Sequence, residues 1–181
     1  MIPSKYSYLT EEGMPRMIQE GLKLVGTKEV MGDGNSPVIL SWAKEVGESV
    51  ANVYKADSIP WCGLAMAVIA KRADKEVVKD PLWALNWGTF GEAVDVPELG
   101  DILTFVRKTP DGKRAGHVAQ YVGEDADTYH VIGGNQSDAF GFTRMPKTRL
   151  YAARRPHYTN KPVTVKRYFL KADGSVSNNE Q

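Results

Sequence analysis

The sequence predicts an α+β fold in which N-terminal helices pack on a central antiparallel β-sheet. Three observations carry that expectation. Apolar residues recur at spacings of three and four in the first 73 residues, short runs after Pro97 alternate instead, and no segment between those runs suits a crossover helix of the kind parallel strands require. At 181 residues the chain is long enough for one domain with a real core.

The helical elements come first. Met14, Met17, Ile18, Leu22 and Val25 form an apolar stripe over Glu11–Val25, with Thr10 as candidate cap and Pro15 near the beginning. The glycine-rich stretch Gly26–Pro37 reads as a loop. Pro37–Val46 follows as a helix, capped by Ser36, with Pro37 in the first helical position and Val38, Ile39, Trp42 and Val46 apolar. A third helix is expected to be capped by Asp57 or Ser58, to carry Pro60 in its first turn and to end near Arg72 or Ala73. Leu64, Ala65, Val68 and Ile69 are its buried stripe. Pro81–Gly91 reads as one helical turn followed by loop.

The strands follow. Asp101–Val106, His117–Val122, Thr128–Ile132 and Tyr151–Arg154 are the expected strands, with a turn at Thr109–Gly112 and a connection at Gly123–Asp127. Val163–Leu170 alternates as an edge strand would, and Asp173–Gln181 has a disorder-like composition. The chain is read as one domain, residues 1–181, with a core of about 21–154 and a tail from about 171.

Charge and composition exclude several classes. The formal charge is +1, which gives no call for a nucleic-acid partner, and no recognition helix or nucleic-acid module accompanies the basic stretch Lys147–Lys171. One cysteine rules out an internal disulfide and a four-thiolate metal site; three histidines leave little for zinc, so no metal or other cofactor is expected. The N-terminus lacks the apolar stretch of a classical signal peptide, and the longest mostly apolar run, Ile59–Ala70, is too short to span a bilayer. Synthesis in the cytoplasm, no stable membrane insertion and a monomer are the expectations.

Cys62 and His117 carry the chemistry. Near the start of the third helix, the Cys62 thiol would meet unsatisfied backbone N–H groups and the positive end of the helix dipole, both of which favour a thiolate. His117 opens the apolar strand HVAQYV, where a rigid imidazole at the sheet rim can face a helix terminus as a base. If the second and third strands pair, Gly133–Gln136 falls near His117. Asn135 is the candidate to orient the imidazole, and Gln136 is the competing orienter or an oxyanion donor. Three of these residues also have a structural reading: core packing for Cys62, a half-buried surface position for His117 and a turn for Asn135.

Assembled in order, Ile59-Pro-Trp-Cys-Gly63, Leu99-Gly-Asp-Ile102, Gly116-His-Val118 and Ile132-Gly-Gly-Asn-Gln136 resemble the papain-like peptidoglycan hydrolases of the NlpC and CHAP type, closest to a compact phage-associated branch. The resemblance covers about Gly21 to Arg154. It implies a papain-like fold, Cys62 as nucleophile, His117 as general base, Asn135 as orienter, and an oxyanion site made by the Cys62 backbone N–H and a nearby side chain.

It further implies a thiol-dependent hydrolase of a cell-wall amide, either an N-acetylmuramoyl-L-alanine amidase or a stem-peptide endopeptidase. The partner is then bacterial peptidoglycan. The setting is phage lysis or interbacterial attack, with action in the periplasm or cell wall and, for an injected toxin, an immunity protein. Trp61, Trp83, Trp87 and Tyr121 are the candidates to line a substrate cleft. Two other readings remain open from the sequence: a papain-like protease or deamidase acting on proteins, and a non-catalytic envelope-binding module.

Overall fold

A computed structural model describes residues 1–32, 34–109 and 111–177. The fold is mixed α+β, with N-terminal helices packed against a central antiparallel sheet. A 3-10 segment, Ser4–Thr10, precedes α1 (Arg16–Leu24). This helix starts later than its apolar stripe suggested, because Pro15 disfavours helical backbone at the residue before it. Helix α2 (Pro37–Val46) has the expected bounds, and Ser36 Oγ accepts from Ile39 N at 3.4 Å. After Gly47 comes a short α3 (Glu48–Val53), which the sequence did not signal.

Helix α4 (Cys62–Arg72) is buried continuously from Cys62 to Ala70. An apolar helix without a polar face belongs at the centre of a fold, and α4 packs against α1, α2 and β3. A second 3-10 segment, Ala84–Thr89, carries the expected turn of the aromatic stretch.

The sheet has six strands: β1 (Glu92–Ala93), β2 (Ile102–Lys108), β3 (Arg114–Glu124), β4 (Thr128–Gly133), β5 (Gly141–Pro146) and β6 (Leu150–Arg155). Their order is β1-β6-β2-β3-β4-β5, with every pairing antiparallel. Strand alternation sends Ile102, Val118, Val122 and Ile132 into the main core with the helices. Leu103, Phe105, Ala119, Tyr121, Val131 and Met145 go to a second apolar cluster on the other face. Asp101, fully buried, receives both Nε (2.9 Å) and a terminal nitrogen (2.8 Å) of Arg155, and locks the start of β2 to β6.

One sequence expectation is corrected. Val163–Leu170 forms no edge strand; its backbone pairing with β3 is a short bridge, where Glu124 N donates to Tyr168 O and Leu170 N to Glu124 O, both at 2.8 Å, beside the ion pair of Arg167 with Glu124 at 2.8 Å. The start of the tail is held, through Lys5 to Asp173 at 2.6 Å and Ser177 N to Arg144 O at 2.8 Å. Residues 178–181 of that tail, and Pro110 of the Thr109–Gly112 turn, lie outside the described residues.

A buried polar network ties the N-terminal segment to the far end of the sheet. Tyr6 Oη lies 2.9 Å from His130 Nδ1, and His130 Nε2 lies 3.0 Å from Asp125 Oδ2. That carboxylate also accepts from Arg144 Nε at 2.9 Å and Thr128 Oγ1 at 2.6 Å. Among the described residues no helix is long and apolar enough to cross a membrane.

Candidate active site

Cys62 is the first residue of α4, and neither Asp57 nor Ser58 caps that helix. The Asp57 carboxylate is used elsewhere: it accepts from Val30 N at 2.9 Å and Ser36 N at 2.7 Å, fastening the glycine-rich loop in front of α2. The cap comes from a distant part of the chain. Asn135 Oδ1 accepts from Cys62 N at 3.0 Å and also from Trp61 N. Its amide nitrogen donates to Glu29 Oε1 at 3.0 Å, and the same oxygen accepts from Trp61 Nε1 at 2.5 Å. With two N–H donors on one side and a carboxylate on the other, the orientation of the Asn135 amide is fixed. Burial pushes the Glu29 carboxyl above its ordinary range, against the hydrogen bonds from Trp61 and Asn135.

The Gly-Gly exit from β4 makes this cap sterically feasible. A Cβ at Gly134 would lie 2.7 Å from the Trp61 ring, so only glycine lets the strand pass so close to the helix start. Asn135 then adopts φ 53°, a left-handed conformation that asparagine tolerates better than most residues.

Gln136, the next residue, addresses the histidine. His117 is buried in β3, and its Nε2 lies 3.3 Å from Gln136 Oε1. The Gln136 amide nitrogen donates to Gly141 O at 2.5 Å, so its oxygen is the atom turned to the ring. The neutral imidazole therefore donates from Nε2 and carries its lone pair on Nδ1. The side chain that meets the imidazole is thus Gln136 and not Asn135, because the Asn135 side chain is committed to the helix cap. The oxyanion expectation changes with it. The Cys62 N–H is held by Asn135 Oδ1, and the Gln136 amide donor points to Gly141.

Cys62 lines a cleft of about 620 Å³ with Pro60, Leu82, Trp83, Gly116 and Asn135 among its walls. The cysteine itself is 5% exposed. Gly63 is a steric requirement here: a Cβ would lie 2.8 Å from Leu82 O and press against Pro81 O, where the 81–82 backbone crosses the helix start.

Of the four aromatic cleft candidates, only Trp83, 74% exposed, lines this cleft. Trp61, Trp87 and Tyr121 are fully buried. Their polar tips are satisfied inside, Trp87 Nε1 by Pro81 O at 3.0 Å and Tyr121 Oη by Glu124 Oε1 at 2.9 Å.

The sequence reading missed Glu29 and the arginines of the cleft, Arg107 and Arg114. Glu29 sits in a loop with no motif around it, and its partners are 32 and 106 residues away. Among the described residues no group of three or more His, Cys, Asp or Glu is arranged to hold a metal ion. No family model, curated protein or solved structure matches the chain.

Proposed function

We propose that the protein is a thiol-dependent amide hydrolase of the papain-like NlpC and CHAP type, acting on bacterial peptidoglycan. One observation carries the reading. Two consecutive residues, Asn135 and Gln136, hold the backbone of Cys62 (3.0 Å) and the imidazole of His117 (3.3 Å) respectively, beside a cleft that Cys62 lines. A buried histidine with its tautomer set and a cysteine at the first position of a helix are the parts a cysteine–histidine hydrolase needs. The peptidoglycan assignment rests on the motif order Trp-Cys, Gly-Asp, Gly-His and Gly-Gly-Asn-Gln.

In the proposed reaction His117 Nδ1 takes the thiol proton, and Cys62 Sγ attacks the amide carbonyl to form a carbon–sulfur bond. The carbon–nitrogen bond breaks as the imidazolium returns that proton to the departing amine. Water then attacks the thioester and His117 takes its proton; the carbon–sulfur bond breaks as the imidazolium returns that proton to sulfur, releasing a carboxylic acid and restoring the thiol. For the Cys62 N–H to stabilise the oxyanion, the substrate oxygen must displace Asn135 Oδ1 from it. Gln136 acts as a positioning residue through His117.

Mass spectrometry of purified sacculi digested by the protein tests the reading and identifies the bond. Free lactyl termini without peptide mark an amidase, and split stems mark an endopeptidase. Products from the wild type and none from Cys62→Ala are expected; sacculi left intact by the wild type would refute the reading.

A further inference from the structure

The cleft beside Cys62 has two unlike walls. One is apolar, formed by Ile59, Leu82, Leu85 and the exposed Trp83. The other is the β2–β3 hairpin, which contributes Arg107 and Arg114 to the lining. Lys108 pairs with Arg114 in the strand register, and Lys113 precedes it, so four cations stand on this short hairpin. Among the described lining residues there is no carboxylate. The hairpin's own Asp111 is engaged by Lys113 at 2.9 Å. The Arg114 guanidinium lies 5.5 Å from the centre of the Tyr151 ring, a contact that steadies the side chain without neutralising its charge.

We infer that this hairpin is the specificity element of the site: it binds a free carboxylate of the substrate, while Trp83 covers the substrate's apolar side. The inference rests on the amide-hydrolase reading and narrows its substrate class to peptides carrying a carboxylate close to the scissile amide. A planar guanidinium matches a carboxylate in charge and geometry, and an amide in the same position offers neither the charge nor two equivalent acceptors. In a stem peptide the relevant group is the α-carboxylate of a γ-linked glutamate, which is either free or amidated.

Two synthetic peptides separate the cases: L-Ala-γ-D-Glu-L-Lys-D-Ala and the same peptide with that glutamate carboxylate as its amide. Calorimetric titration of the full-length Cys62→Ala protein reads binding without turnover. The acid form is expected to bind about tenfold more tightly than the amide at low salt, with the preference shrinking as salt rises. Arg114→Gln, checked for unchanged melting temperature, should reduce the preference. Equal affinity for the two peptides, or binding of neither, overturns the inference. Wild-type hydrolysis of the same pair distinguishes the two failures. A binding preference without turnover refutes the hydrolase reading alone, whereas turnover without preference refutes the hairpin's role alone.

Discussion

Gln136 turns its amide oxygen to His117 Nε2 at 3.3 Å while its amide nitrogen is held by Gly141 O at 2.5 Å, so one side chain both anchors itself and sets the histidine tautomer. Gln136→Ala removes the acceptor that keeps the proton on Nε2. We expect kcat to fall by about a hundredfold and the acid limb of the pH–rate profile to move. A contribution to folding alone would lower the melting temperature and leave the profile where it was. Steady-state kinetics across pH on the purified variant make the distinction.

Asn135 belongs to a different task, and its removal should show a different signature. Asn135→Ala deprives Cys62 N and Trp61 N of their acceptor and leaves Glu29 without one of its two donors. Loss of a helix cap costs about 1 kcal/mol, and buried donors left unpaired raise the figure to about 2 kcal/mol. Urea denaturation should therefore report a lower midpoint with an unchanged slope. A midpoint equal to the wild type's would remove the capping role.

Gly63→Ala tests the crossing of the 81–82 backbone over the helix start. The added methyl meets two carbonyl oxygens of the backbone, which yield less readily than side chains. A loss of about 1–3 kcal/mol in thermal or urea unfolding is expected. Gly141→Ala, where a Cβ meets nothing within 4 Å, serves as the control and should be nearly neutral. Similar effects at the two glycines would contradict the packing argument.

Acid should destabilise the fold in two stages. Burial lowers the His130 pKa below its ordinary 6.5 despite the Asp125 hydrogen bond. The unfolded chain then binds a proton that the folded chain resists, and stability falls as pH drops below 6.5. Burial opposes the charge on Glu124, yet the hydrogen bonds from Arg167, Lys147 and Tyr121 outweigh it and hold that carboxyl at about 2. Its contribution is complete above the ordinary 4.5 and is lost as pH falls toward about 2. Melting temperatures measured from about pH 7 to about pH 3 should decline throughout, and Glu124→Gln should flatten the lower part. A melting temperature that held constant or rose on acidification would contradict this.

What was legible in the sequence was local. Helix α2 carries its own start signal in Ser36-Pro37, and its bounds match the expectation. The alternation in ILTFV and HVAQYV marked β2 and β3 because one sheet face meets the helices and the other a second apolar cluster. Strand β5 was missed: GFTRMP begins with glycine, ends with proline and has little alternation, and it is formed by pairing with β4. The cap of α4 escaped notice for a related reason. Asp57 and Ser58 sit where a local cap belongs, but the group that reaches Cys62 N lies 73 residues on, delivered by a Gly-Gly turn. The motif Gly-Gly-Asn-Gln was legible, but not which side chain goes where: Asn135 reaches the helix start, and Gln136, the competing candidate, meets the imidazole.

Cys62 is the chain's one cysteine, so thiol alkylation reports on it alone. The proposed mechanism requires this sulfur to exchange a proton with the His117 imidazole, and the rate of iodoacetamide labelling against pH, in wild type and His117→Ala, reads that pairing. We predict that the wild type labels well below the usual thiol range near about 8.5, and that His117→Ala shifts the reaction back to a single ionisation in that range. Superimposable profiles for the two proteins would contradict the claim.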